Sequence, residues 1–219
     1  MELSYVSASC RRPFESGESV ILGISPFNSY FSRHMISRLY GWGKEHFAKV
    51  SIYVPDKPSA YTLMAMGYEE KKANKKAKRQ SNYLFNKIHE AIGSDLDIVT
   101  LVNSDWLENC PIYWEKLDFL RELFDTNRRF REGCLATSRW VMENCANRDD
   151  IDQYAVLTAV EYFLSELPLF IFGANILKTD HSVFAYHGCP EFLSKLFRDK
   201  LFGLVDGRHG YAIVQPETP

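Results

Sequence analysis

A continuous apolar run, Val20-Ile21-Leu22-Gly23-Ile24, ends on Ser25 and turns through Pro26-Phe27-Asn28. A run this short, bounded by turn-forming residues and lacking polar alternation, suits a strand covered on both faces, which requires a parallel sheet between layers of helix. Side chains alternate along a strand, so Ile21, Gly23 and Ser25 share one side. A glycine two residues before a serine is expected to leave open space beside the hydroxyl. Such a space could seat an acyl group. The same pattern also fits a buried strand whose Ser25 or Asn28 does no more than cap the following helix.

The rest of the chain supplies the layers. Residues 30–47 place Tyr30, Phe31, Met35, Ile36, Leu39 and Tyr40 at helical spacing, and residues 50–54 read as the next strand, closed by Pro55-Asp56-Lys57-Pro58. Strand, helix, strand at this distance is a right-handed crossover of a parallel sheet. Residues 60–66 read as a short helix ended by Gly67, and residues 69–92 run on without proline or glycine as a long one. A third strand covers 97–102. Residues 112–144 are mostly helical, with Trp114, Leu117, Leu120, Leu123 and Phe124 toward the core, and a break falls at Asn147-Arg148-Asp149-Asp150. The next helix, 151–166, is stopped by Pro168. Strands at 182–186 and 210–214 bracket a helix near 191–202. This order predicts an α/β fold, a parallel sheet with helices on both faces, in one domain over 1–219 with residues 1–17 as a loose lead-in. Ligands of such sheets sit at the carboxyl ends of the strands, where Ser25 and Tyr186 would face one crevice.

Composition narrows function mainly by exclusion. With 46% hydrophobic residues the chain can bury one sizeable core. A net charge of −2, from 26 basic and 28 acidic residues, gives no whole-chain case for nucleic acid, so any such case is local. Cys10, Cys110, Cys134, Cys145 and Cys189 form no Cys-x-x-Cys pair and match no zinc spacing, which predicts reduced thiols and no metal. Neither a Gly-x-Gly-x-x-Gly nor a Gly-Lys-Ser/Thr loop is present, so no site for a dinucleotide or ATP is visible. The longest apolar stretch, 167–174, is too short to cross a bilayer and the start lacks a signal pattern, so the expected location is the cytoplasm.

Three constellations remain. Tyr162 and Glu166 stand four apart on a helix and project from one face, where a carboxylate beside a phenol can hold an ammonium group and take its proton. The plain alternative is a packed tyrosine next to a solvated glutamate. His187 is available as a base or as a structural histidine, without a Gly-x-Ser-x-Gly elbow to accompany it. Finally, Lys71, Lys72, Lys75, Lys76, Lys78 and Arg79 crowd nine positions of the long helix, with Lys87 two turns on. Lys72, Lys75, Lys76, Arg79 and Lys87 form one stripe, flanked by Lys71 and Lys78, that could track a phosphate backbone or could simply be a solvated face.

Together these residues resemble the cyclodipeptide synthases, which join two aminoacyl groups from tRNA into a cyclic dipeptide. The family's N-terminal pattern is His, any residue, two aliphatics, Gly, an aliphatic and Ser. Here it reads Ser19-Val20-Ile21-Leu22-Gly23-Ile24-Ser25, with Ser19 in place of His. The second pattern, Tyr, three residues, Glu, one residue, Pro, stands as Tyr162-Phe163-Leu164-Ser165-Glu166-Leu167-Pro168, with Phe163 where an aliphatic is usual. Asn28 and the pair Tyr186-His187 match the subfamily named for Asn, Tyr and His. The three motifs stand in order and at family-like separation.

The resemblance implies a Rossmann-like sheet similar to the catalytic domain of class I aminoacyl-tRNA synthetases, without their motifs for activating amino acids with ATP. It implies two aminoacyl-tRNAs as partners, no cofactor, no ATP or metal, and a monomer. Ser25 would carry the first aminoacyl group, Tyr162 and Glu166 would hold its ammonium, and Tyr186 would relay a proton. Asn28 and His187 would fix the loop and Tyr186. Ile21, Gly23, Leu169, Phe170 and Phe184 would line the pocket for the first side chain. The tRNA would lie on Lys71, Lys72, Lys75, Lys76, Lys78, Arg79 and Lys87. Two rivals share some of these features: a non-catalytic tRNA-binding module and a serine hydrolase.

Overall fold

The computed structural model describes residues 1–146 and 151–217. Among them, β1 (Glu2–Tyr5), β2 (Ser19–Gly23), β3 (Lys49–Tyr53), β4 (Thr100–Val102), β5 (Ser182–Tyr186) and β6 (His209–Gln215) form one sheet in the order β1-β6-β5-β2-β3-β4. β2 runs parallel to both β3 and β5, and β4 and β6 extend the parallel set on either side. From β2 the chain moves outward through β3 to β4, then returns to β5 on the other flank of β2. The β2–β5 seam is therefore the topological switch point, where a crevice opens at the carboxyl ends of the strands.

The helices are α1 (Arg11–Glu15), α2 (Arg33–His46), α3 (Ser59–Ala65), α4 (Glu70–Ile92), α5 (Ser104–Glu108), α6 (Pro111–Thr126), α7 (Arg128–Ala146), α8 (Gln153–Leu177) and α9 (Glu191–Arg198). Alternation along the strands sorts the core into two layers. Val20, Leu22, Ile52 and Val183 pack with Ile36 and Leu39 of α2 and with Leu84 and Ile88 of α4. Ile21, Tyr53, Phe184 and Tyr211 pack on the opposite face with Leu117 and Leu120 of α6 and with Leu164 and Leu167 of α8. Each fully buried aliphatic or aromatic side chain of this kind contributes about 1.5–3 kcal/mol. Ala73 and Ala77 seat α4 against Ala60 and Leu63 of α3, and Lys71, Lys72, Lys75, Lys78 and Arg79 point outward.

The structure corrects the sequence reading in four places. Residues 1–17 are not a loose lead-in. β1 pairs antiparallel with β6, Leu3 opposite Val214, so the sheet is mixed, and Cys10 and Pro13 are buried. Four residues with three exposed side chains carry no readable period; β6 supplies the order. Secondly, Pro168 does not end its helix. Proline removes one backbone hydrogen bond, but Leu164, Leu167, Leu169 and Ile171 anchor both sides of it in the core, and backbone angles leave the helical range only at Phe172 (φ −116°, ψ 22°). Thirdly, residues 112–144 divide at Asn127, whose Oδ1 accepts from Phe130 N at 3.1 Å to start α7. The expected break at Asn147–Asp150 lies outside the described residues. Lastly, α8 is long and apolar enough to cross a membrane by length and composition, more than the 167–174 stretch suggests. Of its apolar window 67% is buried inside the fold, so that apolarity is used in the core.

Candidate active site

β2 delivers Ser25 to the crevice. The backbone stays tied to the sheet through Ile24 N–H, which donates to Tyr53 O at 2.9 Å, and then turns. Phe27 adopts φ +63°, a left-handed conformation that costs a non-glycine residue about 1–2 kcal/mol. α2 begins only at Arg33, capped by Ser32, whose Oγ accepts from Met35 N at 3.2 Å. Neither Ser25 nor Asn28 is therefore the cap. The half-buried Ser25 hydroxyl instead shares a 2.8 Å hydrogen bond with the Tyr186 hydroxyl at the end of β5, directly across the switch point.

The other wall comes from α8. Tyr162 and Glu166, one turn apart, both face the cavity, with Ser25 and Glu166 among the electrostatic neighbours of the Tyr162 phenol. Each keeps part of its surface open to the cavity while protein encloses the rest. Burial pushes the Glu166 carboxyl up to about 8, only partly offset by the Tyr162 hydrogen bond. Burial also holds the Tyr162 phenol well above its ordinary value, and the nearby Glu166 carboxylate reinforces this. A carboxyl titrating near 8 is matched to an α-amino group, whose ordinary value is about 7.7–8.0.

Asn28 and His187 form a fixed support. Asn28 Oδ1 accepts from Tyr30 N–H at 3.0 Å, which orients the amide and turns Nδ2 toward His187 Nε2 at 2.9 Å. An amide nitrogen donates, so Nε2 must accept and the imidazole is the neutral tautomer with its proton on Nδ1. Burial, which lowers the His187 pKa, favours the same state. The ring is caged by Tyr30, Phe31 and Tyr186, at centroid separations of 4.6, 5.6 and 4.3 Å. Gln215 Nε2 donates to His187 O at 2.7 Å and Tyr211 OH to Gly188 O at 2.9 Å, so β6 holds the loop that follows Tyr186.

These groups surround a cavity of about 930 Å³. Ser25, Asn28, Tyr162, Glu166, Tyr186 and His187 all line it, although they come from segments far apart in sequence. Of the expected pocket residues, Gly23, Phe170 and Phe184 reach the wall, whereas Ile21 and Leu169 are sealed in the core at 0% exposure. The open space expected beside Gly23 is filled: a Cβ placed there would lie 2.7 Å from Phe184 Cζ and 3.1 Å from Tyr186 Cδ2.

The cyclodipeptide synthase family model matches residues 1–216. The chain belongs to the cyclodipeptide synthases. It is 30% identical over 218 residues to a cyclo(L-leucyl-L-leucyl) synthase of Bacillus subtilis, covering 96% of this chain and 87% of that protein. A crystal structure of a cyclodipeptide synthase from Bacillus thermoamylovorans superposes with a TM-score of 0.91 at 27% identity, over 99% of this chain and 96% of the other. The same fold recurs, with a TM-score of 0.88 at 22% identity over 98% and 93% of the two chains, in a Mycobacterium tuberculosis protein whose structure relates cyclodipeptide synthetases to type I tRNA synthetases. The Rossmann-like character of the sheet follows from its topology and from this likeness.

In this cyclodipeptide synthase the basic helix starts at the cavity mouth. Lys76 lines the cavity, with Nζ 4.4 Å from the centroid of the Tyr68 ring and 2.8 Å from its hydroxyl. Among the described residues, only Lys72 of the basic set meets a carboxylate, Glu69 at 3.4 Å. Lys87 is half-buried farther along α4. Sequence reasoning missed Tyr53, Phe163 and Tyr211, which also line the cavity. Tyr53 could have been found by carrying the alternation of β2 across to β3, since it stands opposite Gly23 in register. Its hydroxyl is buried with no protein partner in the described structure, and Glu166 and Tyr162 are among its electrostatic neighbours.

Proposed function

We propose that this chain takes aminoacyl groups from two tRNAs and joins them into a cyclic dipeptide through an ester on Ser25. The 2.8 Å contact between Ser25 and Tyr186, facing Tyr162 and Glu166 across one cavity, carries the reading. Ser25 Oγ attacks the ester carbonyl of the first aminoacyl-tRNA. Its proton passes to Tyr186, which gives its own to the departing ribose oxygen, and the aminoacyl group stays on Ser25. Because the substrate arrives as an ester, no ATP is spent on activation.

Tyr162 and Glu166 hold the ammonium of the bound group, and Glu166 takes the proton that must leave before the amine can attack. That amine then displaces tRNA from the second aminoacyl ester, forming a peptide bond. The new terminal amine attacks the seryl ester, closes the ring and returns the proton to Ser25 by way of Tyr186. Asn28 and the neutral His187 keep Tyr186 and the loop in place, the arrangement of the subfamily named for Asn, Tyr and His. The tRNA backbone lies along Lys71, Lys72, Lys75, Lys76, Lys78, Arg79 and Lys87, which leads its acylated end into the cavity past Tyr68. The enzyme works as a monomer in the cytoplasm, where charged tRNA is found.

The test is mass spectrometry of acid-quenched protein and of released products after mixing with a set of aminoacyl-tRNAs. An acyl group on Ser25 together with a cyclic product supports the reading. Binding without either would leave a tRNA-binding module, and turnover of simple esters without tRNA would favour a hydrolase.

A further inference from the structure

We infer that the fold binds a structural water at the end of the sheet opposite Ser25, shared by the Ser19 and Ser182 hydroxyls and continued to His209 beneath α8. The site is independent of the proposed reaction. Ser19, Ser182 and His209 are the first residues of β2, β5 and β6. Ser182 stands opposite His209 in register, and Val20 stands opposite Val183, which places Ser19 beside Ser182 one residue earlier. Alternation puts all three on the face of Ile21, Phe184 and Tyr211, which packs against α8. They form one row across three parallel strands, each strand about 4.8 Å from the next.

The row is buried, and the protein does not satisfy it. Ser19, Ser182 and His209 are 1%, 0% and 2% exposed. Among the described residues, eight buried side-chain polar atoms lack a hydrogen-bond partner, and four of them are Ser19 Oγ, Ser182 Oγ and the two ring nitrogens of His209. Buried polar groups are nearly always paired, so half of the exceptions falling in one row point to a common partner rather than to separate penalties. α8 covers the His209 end. A Cβ at Gly173 would lie 2.8 Å from Nδ1 and 2.9 Å from Nε2, so the imidazole lies against the α8 backbone just past the departure from helical angles at Phe172. Backbone groups of Leu169, Phe170 and Ser182 are polar neighbours of the ring, but none meets a ring nitrogen in hydrogen-bond geometry.

The missing partner must both donate and accept, because hydroxyls and a neutral imidazole each offer both functions. Burial pushes the His209 pKa down to about 3, so the ring is neutral. The adjacent carboxylates are already engaged and do not favour a cation. Glu18, next to Ser19, accepts from Asp180 N at 3.2 Å and His181 N at 2.7 Å, and Asp206 accepts from Arg208 Nε at 2.9 Å. A neutral molecule of the size of water fits these demands, and buried waters make about three hydrogen bonds to groups of this kind. Such a water joins the starts of β2 and β5 and, through His209, ties them to the helix that carries Tyr162 and Glu166.

The test is a high-resolution crystal structure of the wild-type chain together with a double-mutant cycle read by thermal melting. Ordered water density within about 3.2 Å of both Ser19 Oγ and Ser182 Oγ supports the site. An empty gap, or hydroxyls bonded directly to each other or to backbone carbonyls, overturns it. Ser19→Ala and Ser182→Ala should each lower the melting temperature by about 2–4 °C, since each strips a partner from the bound water. The double variant should fall by less than the sum, because either change alone disables the shared water. Additive losses would overturn the sharing. Unchanged or raised melting in the single variants would mean that the hydroxyls are dry and unpaired in the native chain, and would overturn the site outright. The wild-type crystal structure decides even if a variant fails to fold.

Discussion

The polar corner around Ser25 and the outer face of α4 are proposed to serve one substrate, yet they are built on opposite physics. In the corner, few groups are held at fixed distances in a desolvated wall: Ser25 to Tyr186 at 2.8 Å, Asn28 to His187 at 2.9 Å, and Glu166 raised to about 8 by burial. On α4 the ammonium groups are mostly solvated, spread over more than one turn of helix, and carried on long flexible side chains. Desolvated groups act by geometry. Solvated charges act additively and are screened by salt over about 8–10 Å. The difference predicts steep, salt-independent losses at the first region and graded, salt-dependent ones at the second.

The largest effect is expected from Ser25→Ala, which removes the proposed carrier. Product formation should fall by about 10⁴-fold or more, while the affinity for tRNA in a filter or fluorescence titration stays within a factor of about 2. A large loss of affinity instead would mean that the corner also binds the tRNA and that the contrast is misplaced.

Glu166→Gln comes next. Product formation should fall by about 10²–10⁴-fold, and the limb of the pH profile that rises through the wild-type Glu166 titration should disappear. The same variant tests the electrostatics of the folded state. The Glu166 pKa is raised in the folded chain, from 4.5 to about 8, so the folded state favours its protonated form. That contribution is fully present below 4.5 and is lost as pH rises through 8. Glutamine mimics the protonated form, so the variant should melt higher than wild type at pH 9, by about 3–8 °C, with the difference vanishing only below 4.5. Equal melting at both pH values would show that the carboxyl is not desolvated.

The smallest effect belongs to α4. Replacing Lys75, Lys76 and Arg79 together by Ala should weaken tRNA binding by about 10-fold at low salt and flatten the slope of log affinity against log salt by roughly 3. No change in slope would reduce α4 to a solvated face.

Much of this arrangement was legible because it is local. The β2 run, the four-residue step from Tyr162 to Glu166, the Tyr186-His187 pair and the lysine spacing of α4 are written in contiguous residues. What could not be read depends on distant partners. β1 is too short and too polar to show a period and is ordered by β6. Pro168 obeys its local rule by removing a hydrogen bond, yet tertiary burial on both sides carries the helix through it. The room expected beside Gly23 is taken by Phe184, which lies far along the chain and enters the picture only when β5 is laid beside β2. Ile21 and Leu169 have the right alternation and proximity in sequence, but the sheet and α8 bury them beyond the cavity wall.

The β2–β5 seam also bears on how the protein is made. Ser25 and Tyr186 are 161 residues apart, so their hydrogen bond is among the highest-contact-order features of the molecule. A ribosome emits Ser25 early, beside the charged tRNAs that are its proposed substrates, but the chain cannot yet place a phenol against it. The parallel seam closes only after the crossover helices and β5 have been synthesised, which makes assembly of the site one of the last events of folding. Topology thus delays completion of the proposed site until β5 has been laid beside β2.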